Sequence, residues 1–340
     1  MNNLLCSFKY KNGSFPRRGV GTSKHLGKIQ MSLAIGRGIL VNPVFRRSLG
    51  YNARSIVPTC PPPEYDTGCT HCSIPQFPPG KQIDFKTNLN GTSVLPWKHL
   101  LVLSHGMDDF DEMPSKIELI PGSLSSEING LKRDNISPHH PVLVSNILLT
   151  SHESVLRQYD VDLAGREQQL VYLYPDRKVI RFDKKHTKDF IKKYLVPEGY
   201  KKQEVYNPFK KSSASEHIQV EEYSEVDSDH FTEFPIEKDI VLICGHTKRD
   251  VRCGVLAPLL EREFSEVLRK ECLNMDTDVG LISHIGGHAY AGNVIYLPRK
   301  SEKEIVWYGR VFTDRVYGIV SETIKKGNII SELYRGQLND

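Results

Sequence analysis

Four side chains between residues 239 and 293 are of types that bind soft metal ions: Cys244, Cys253, His284 and His288. Eight residues separate the two cysteines, thirty more precede the first histidine, and three lie between the histidines. Thiolates and neutral imidazoles bind both zinc and the iron of iron–sulfur clusters. Zinc fingers usually place about two to four residues between paired cysteines, so this spacing is unusual for one. Residue types alone leave three alternatives: an iron–sulfur cluster, a structural zinc ion, or a disulfide between the cysteines.

The elements predicted around these residues bring them to one end of a sheet. Residues 240–243 are a short β-branched apolar run, typical of a buried strand, and Cys244 follows this strand directly. Cys253 is predicted to lie in a loop, and Pro258 is predicted to open a helix. A second apolar run at 279–282 predicts another strand, which leads to the first histidine. The apolar face of the predicted helix contains Leu260, Phe264, Val267 and Leu268.

The spacing resembles that of thioredoxin-like [2Fe-2S] ferredoxins. These proteins carry one cysteine pair split by a loop after a first strand, and a second pair spaced C-x3-C after a later strand. Here the second pair is His284-x3-His288, with two glycines between the imidazoles. The end of the chain is also similar, with residues 307–311, an amphipathic helix over 316–324, and then Gly327. The chain is most similar to the fungal sucrase/ferredoxin-like family, and within it to a mitochondrial branch.

This resemblance implies an α/β fold with a C-terminal thioredoxin-like domain at residues 237–340 that binds one [2Fe-2S] cluster. Cys244 and Cys253 would hold one iron, and His284 and His288 would hold the other. We expect the histidine pair nearer solvent, because a glycine-containing loop exposes its side chains more than a strand end does. Electrons would then enter and leave on the histidine side.

The expected ligand set also predicts a redox property. Replacing two thiolates by neutral imidazoles removes two negative charges, which favours reduction. Rieske clusters show this direction, with potentials of roughly −150 to +300 mV against about −400 mV for plant-type ferredoxins. Because an imidazole has a second nitrogen that can carry a proton, we expect the potential to fall as pH rises.

A second group of thiols, Cys60, Cys69 and Cys72, lies far upstream. A C-x2-C pair such as Cys69 and Cys72 can be a redox dithiol, a disulfide or half of a metal site. Prolines on both sides predict an extended loop rather than the strand and helix of a thioredoxin active site. His71, between the paired cysteines, cannot easily face the same ion. We predict a thiol switch or disulfide with Cys60 as resolving thiol, and plain structural thiols are the alternative.

The first 58 residues are predicted to be a mitochondrial targeting segment. Residues 1–63 contain no Asp or Glu but ten Lys and Arg, interspersed with serines. This composition is typical of a transit peptide, and a disordered basic arm that binds anionic surfaces is the alternative. The expected compartment is the matrix. No apolar run is long enough to span a bilayer.

A length of 340 residues favours two domains. Residues 59–198 are predicted to form an N-terminal α/β domain that begins with the Cys-rich loop, and 199–236 a polar linker. The motif at 103–106 aligns with 243–246, and 147–152 aligns with 281–284, which predicts a degenerate second thioredoxin-like domain. An unrelated α/β domain is the alternative. Strands are predicted at 99–103, 142–144, 169–174 and 178–182, and a helix at 190–195.

Several other residues have weaker predictions. His246 is predicted to be a loop histidine, with metal ligation or hydrogen bonding to a ligand as alternatives. Arg249, Asp250 and Arg252 are predicted to be solvated surface charges, with an influence on the cluster as the alternative. Cys272 is predicted to be a buried thiol on the apolar helix face.

The favoured function is one-electron transfer or redox sensing, with an unidentified protein as electron donor or acceptor and the mitochondrial import machinery as a further partner. A net charge of +4 implies no nucleic-acid partner, and there is no nucleotide or flavin fingerprint. An electron carrier is therefore favoured over an enzyme with its own substrate. The alternatives are a thiol–disulfide redox protein acting through Cys69 and Cys72, and a zinc-stabilised interaction protein.

Overall fold

The computed structural model describes residues 55–162, 167–200, 228–300 and 304–338. Nearly all of the predicted targeting segment, and most of the predicted linker, lie outside these ranges. None of the helices in the described ranges is long and apolar enough to cross a membrane.

The described ranges contain twelve strands, which occur in the following order: β1 (Ile56–Val57), β2 (Lys98–Leu103), β3 (Val142–Leu149), β4 (Gln168–Tyr174), β5 (Lys178–Asp183), β6 (Phe231–Pro235), β7 (Asp239–Cys244), β8 (Thr277–Ile282), β9 (Val294–Leu297), β10 (Ile305–Tyr308), β11 (Ile329–Ile330) and β12 (Tyr334–Leu338). The same ranges contain six α-helices: α1 (Met107–Glu112), α2 (Leu124–Asn135), α3 (His152–Gln158), α4 (Thr187–Tyr194), α5 (Val251–Lys270) and α6 (Thr313–Gly318). Helix α6 continues directly into a π-helical turn, Ile319–Lys325.

Ten of these strands form one mixed sheet in the order β12-β10-β9-β7-β8-β3-β2-β4-β5-β6. Each half of the sheet repeats one plan. In the N-terminal half, β2 and β3 are parallel, and β4, β5 and β6 follow as antiparallel neighbours. In the C-terminal half, β7, β8, β9, β10 and β12 have the same relations. The halves meet where β3 pairs antiparallel with β8. The structure is thus a mixed α/β protein with a thioredoxin-like arrangement, as predicted.

The parallel pair β7 and β8 places the predicted ligands at one edge of the sheet. All six residues of β7 are buried, which agrees with the apolar run at 240–243. The register pairs Val241 with Val279 and Cys244 with Ile282. Because both strands end at this edge, Cys244 and the loop that contains His284 emerge side by side.

Helix α5 begins at Val251 rather than at Pro258, so the predicted start was wrong. Asp250 is the N-cap residue, and its side chain accepts a hydrogen bond from the Arg252 amide. Pro258 lies inside the helix and leaves the Gly254 carbonyl without its usual i+4 donor. The earlier start places Cys253 in the first helical turn rather than in a loop.

The strands predicted in the N-terminal half are confirmed, but their alignment with the C-terminal half differs by one residue from the prediction. Leu103 pairs with Ile147 in the same way as Cys244 pairs with Ile282. The Ser104 amide donates to the Ile147 carbonyl just as the Gly245 amide donates to that of Ile282. An apolar leucine therefore occupies the position of the first cysteine ligand, and residue 105 corresponds to 246. His152 begins α3 and has no equivalence with His284.

The segment from residue 56 to about 95 packs against the C-terminal half. Strand β1 pairs in parallel with β11. The Asp84 amide donates to the Ala289 carbonyl, and the Gly91 amide donates to the Arg335 carbonyl. Near the C-terminal end of the predicted linker, residues 231–235 form the edge strand β6. The Cys-rich loop packs against α5 and α6 of the C-terminal half.

Candidate metal centre

Three of the four predicted ligands converge. Cys244 is the last residue of β7, and its amide donates to the Asn293 carbonyl. Cys253 lies in the first turn of α5, and His284 lies two residues beyond β8. The two Sγ atoms and a ring nitrogen of His284 all lie within 4.8 Å of one another. Both thiols are buried, whereas the histidine is half-buried.

The fourth predicted ligand, His288, lies on the solvent side of this group. It is exposed, and the centroid of its ring is 5.6 Å from that of His284. Gly286 and Gly287 have φ angles of +80° and +73°, and this left-handed conformation turns the chain back between the two histidines. The exposed side of the site is therefore the histidine side.

A buried arginine, which the sequence analysis missed, holds this loop. Arg335 is fully buried, and its guanidinium donates to the Gly286 carbonyl at 3.3 Å and to Oδ1 of Asn293 at 2.7 Å. The Asn293 side chain in turn donates to the Gly287 carbonyl at 2.9 Å. Residue 287 must be glycine, because a Cβ there would collide with the guanidinium. The guanidinium also donates to Oγ1 and the carbonyl oxygen of Thr92.

His246 positions the backbone beside His284. It is 2% exposed, and its Nδ1 accepts a hydrogen bond from the His284 amide at 3.2 Å. Since Nδ1 must accept, the proton is on Nε2, which donates to the Pro114 carbonyl at 2.9 Å. Burial lowers the pKa of His246, which favours this neutral form. Both ring nitrogens are used, so His246 acts through hydrogen bonds and not as a ligand in this structure.

Asp250 and Arg252 form a buried ion pair, so the prediction of solvated surface charge was wrong for both. Two hydrogen bonds of 2.9 and 3.0 Å join the guanidinium to the carboxylate. Arg252 also donates to the Gln82 carbonyl at 2.8 Å, which ties the upstream segment to the start of α5. Arg249 is exposed, as predicted. The pair fixes the helix turn that carries Cys253.

The pKa shifts of the two thiols favour the binding of a cation between them. The Cys253 thiol, followed by the His284 imidazole, lowers the pKa of Cys244 well below its ordinary value, against the opposing effect of burial. The pKa of Cys253 is raised well above its ordinary value by Cys244 and by burial. Nδ1 of His284 is buried and makes no hydrogen bond within the described part of the chain. Two buried thiols and an unpartnered imidazole nitrogen fit the donor set of a metal ion or iron–sulfur cluster.

The three upstream thiols have different environments. Cys60 is buried against the last helix, and its Sγ donates to the Arg315 carbonyl at 3.4 Å. Cys69 is buried beside α5, and Cys72 is exposed. Cys272 lies beyond the end of α5, is exposed and has a φ angle of +56°, so its prediction as a buried core thiol was wrong. The helix ends two residues too early to carry Cys272 on its apolar face.

A cavity of about 130 Å³ lies in the N-terminal half, at the end of β2 that corresponds to the candidate metal centre. Ser104, Ser125 and Asn146 line part of it, and the hydroxyl of Ser125 donates to Oδ1 of Asn146. Because Leu103 stands where Cys244 stands in the other half, this cavity has no thiolate donor.

The fold and the site define the class: a thioredoxin-like α/β protein in which two cysteines and a histidine, from two strand ends and the first turn of a helix, lie close enough to hold a metal ion. The sucrase/ferredoxin-like family matches residues 89–336, and the chain belongs to this family, as predicted.

The chain is 52% identical over 294 residues to altered inheritance of mitochondria protein 32 of Meyerozyma guilliermondii, which covers 86% of this chain and 98% of that protein. The protein of the same name from Clavispora lusitaniae is 49% identical over 294 residues, with 86% of this chain and 99% of that protein covered. That from Debaryomyces hansenii is 50% identical over 285 residues, with 83% and 96% covered. These relatives bear out the predicted branch. No solved structure matches the chain significantly.

Proposed function

We propose that the chain binds one [2Fe-2S] cluster through Cys244, Cys253, His284 and His288, and serves in one-electron transfer or redox sensing. The observation that carries this proposal is the convergence of two buried thiols and a ring nitrogen of His284 within 4.8 Å of one another. Membership of a ferredoxin-like family supports an iron–sulfur cluster over a single ion.

The protein's own groups have distinct tasks in this proposal. Cys244 and Cys253 supply the buried anionic side, and the asymmetry of their pKa values favours thiolate at Cys244. His284 and His288 supply the solvent side, where a partner protein would approach. When bound, such a cluster supplies a one-electron redox couple. Arg335 and His246 hold the histidine loop and the His284 backbone in place.

A mitochondrial location is part of the proposal. The three relatives described above match this chain over nearly their full length, and each is named for altered inheritance of mitochondria. The basic, acid-free composition of residues 1–58 is compatible with import. Fractionation of cells with a C-terminal tag, combined with protease protection of mitoplasts, would locate the mature protein and its compartment. A tag found only in the cytosol would contradict this part.

The proposed ligands are tested by spectroscopy on protein purified without oxygen. We expect two irons and two sulfides per chain, visible charge-transfer absorption, and an EPR signal in the dithionite-reduced form. His284→Cys and His288→Cys should each keep the cluster but shift the EPR signal and lower the potential, because thiolate adds negative charge. His139→Cys, at an exposed site outside the loop, is the matched control and should leave the signal unchanged.

Two outcomes would overturn the proposal. A colourless protein with one zinc would favour the zinc-stabilised interaction protein, since the two thiols and His284 could also hold a single ion. A two-iron protein whose EPR signal is the same in wild type and in both histidine variants would exclude these histidines as ligands.

A further inference from the structure

The upstream C-x2-C pair forms a tight turn. The Cys72 amide donates to the Cys69 carbonyl at 3.0 Å, and this i to i+3 hydrogen bond closes residues 69–72. In such a turn the first and last Cα atoms lie within about 7 Å, and disulfides accept Cα separations of about 4.4 to 6.8 Å. The backbone is therefore already close to the geometry that a Cys69–Cys72 disulfide requires.

The two thiols of this turn have different environments. Cys72 is exposed, whereas Cys69 is buried and its Sγ lies 3.0 Å from a guanidinium nitrogen of Arg262 on α5. A hydrogen bond from a cationic donor stabilises a thiolate relative to a thiol. One sulfur is thus accessible to a partner, and the other is sheltered beside a positive charge.

The turn is anchored on both helices that cover the C-terminal half. The hydroxyls of Thr67 and Thr70 both donate to the carboxylate of Glu263, which is 1% exposed. The Thr70 carbonyl accepts a hydrogen bond from the Thr313 hydroxyl at 3.1 Å. Thr70 lies between the two cysteines, so the turn is ordered before any bond forms between them. Little further conformational entropy needs to be lost on closure.

Cys60 does not belong to this arrangement. Its Sγ donates to the Arg315 carbonyl, and a Cβ at Gly318 would collide with it, so it is packed against α6 and its π-helical continuation. Burial raises its pKa to about 12, which disfavours the thiolate. The predicted role of Cys60 as resolving thiol therefore has no structural support. Cys69 and Cys72 remain as the candidates for a redox pair.

We propose that Cys69 and Cys72 form a dithiol–disulfide redox site that exchanges with disulfides of other molecules, with Cys72 as attacking thiol, Cys69 as resolving thiol and Arg262 as a positioning residue. This proposal does not depend on the metal centre.

The exchange has two balanced steps. The Cys72 thiolate attacks one sulfur of the partner disulfide, whose S–S bond breaks as a mixed disulfide forms, and the departing partner thiolate takes up the proton that Cys72 lost. The Cys69 thiolate then attacks Sγ of Cys72, which releases the second partner thiolate, and this takes up the proton from Cys69. The partner disulfide gains two electrons and two protons, and the Cys69–Cys72 dithiol loses them.

The test uses the full chain, reduced and then equilibrated anaerobically with glutathione and glutathione disulfide at graded ratios. Free thiols are trapped with a maleimide and mapped by mass spectrometry. We expect one reversible disulfide between Cys69 and Cys72, lost in Cys72→Ser. Cys69→Ser should accumulate a mixed disulfide with glutathione on Cys72, because the resolving thiol is missing. Cys60→Ser is the matched control and should leave the exchange unchanged.

Arg262→Gln tests the positioning role. Loss of the charge next to Sγ should slow the resolving step by about tenfold without changing the first step, because the attacking sulfur of Cys69 loses its cationic hydrogen-bond donor. If both steps keep their rates, the role of Arg262 is overturned. Two thiols that stay reduced across the whole series of ratios, or a Cys69→Ser variant without mixed disulfide, would overturn the site itself.

A comparison of two oxidants distinguishes the source of the disulfide. At equal disulfide concentration, faster oxidation by insulin than by glutathione disulfide would support a protein substrate, and the reverse order would support a low-molecular-weight disulfide. Oxidation by neither would overturn the proposal. Because His284→Ala removes a proposed metal ligand and leaves the turn intact, it should retain the exchange.

Discussion

Arg335 carries a positive charge into the interior beside the two buried thiols. Among the described residues, no carboxylate lies within salt-bridge distance of its guanidinium, which instead donates to carbonyl, amide and hydroxyl oxygens. Burial lowers its pKa, while the nearby Cys244 and Cys253 oppose that effect. A buried cation of this kind is tolerated because its donors are satisfied.

Substituting Arg335 by Met should destabilise the protein by about 2–4 kcal/mol, since several buried oxygens would lose their donors. It should also lower the metal content, because the Gly286–Gly287 turn would lose its anchor. Urea unfolding and metal analysis measure the two effects. Arg269→Met, at an exposed position on α5, is the control and should change stability by less than about 0.5 kcal/mol. Equal effects of the two substitutions would contradict this role of Arg335.

At the scale of elements, the ends of strands and helices were harder to predict than their existence. The apolar runs at 240–243 and 279–282 predicted β7 and β8, since burial on both faces leaves a continuous hydrophobic sequence. Pro258 predicts a later start for α5 than the structure has, because Asp250 caps the helix eight residues earlier. The capping hydrogen bond of Asp250 and its ion pair with Arg252 outweigh the loss of one helical hydrogen bond at the proline.

The pairing of β3 with β8 joins the two halves of the sheet, and Gly280 lies at this junction. A Cβ at Gly280 would lie 2.6 Å from the Leu148 carbonyl oxygen and 2.8 Å from Cδ2 of Leu149. Gly280→Ala should therefore weaken the junction and destabilise the protein by about 1–3 kcal/mol. Native-state hydrogen exchange should show the earliest loss of protection at residues 147–149 and 280–282.

The control for this junction is Gly130→Ala in α2. Nothing lies within 4 Å of a Cβ there, and alanine favours helix, so this variant should be slightly more stable than wild type. Unchanged exchange at β3 and β8 in Gly280→Ala would mean that the strands accommodate the methyl group and that the junction is not a close-packed boundary.

At the scale of the whole molecule, both halves contribute to one core. His99 on β2 stacks on Trp307 on β10, with ring centroids 5.9 Å apart. These strands are five positions apart in the sheet, which would separate them by about 24 Å if the sheet were flat. The sheet is therefore curved, and its inner face encloses residues from both halves, including Tyr174 and Tyr296.

His99 makes this shared core sensitive to acid. It is 1% exposed, and burial lowers its pKa to about 3, so it stays neutral in the folded state while the unfolded chain binds a proton near its ordinary pKa of about 6.5. Its contribution to stability is complete above pH about 6.5 and is lost as pH falls towards 3. Between pH 7 and pH 5 this single group should cost about 2 kcal/mol of the free energy of unfolding.

Urea unfolding at both pH values tests this prediction with His99→Gln, which cannot gain the proton. The variant should lose about 2 kcal/mol less than wild type on going from pH 7 to pH 5. His139→Gln, at an exposed position, should show the same pH dependence as wild type. Parallel losses in wild type and His99→Gln would place the acid sensitivity elsewhere.

The sequence by itself determined the family, the strands that lead to the candidate ligands, and the identity of Cys244, Cys253, His284 and His288 as the residues to follow. These features are local, because they depend on hydrophobic runs, spacing and residue type. The tertiary structure decided what burial and long-range pairing control. It placed Arg335 behind the histidine loop, buried Asp250 with Arg252, and set the register that puts Leu103 in the position of a cysteine. Asp250 and Arg252 are near neighbours in the chain, but their burial under the segment that contains Gln82, and the contacts of Arg335 with the histidine loop, join residues far apart in sequence. No local pattern encodes such contacts, because they form only when the sheet closes over its core.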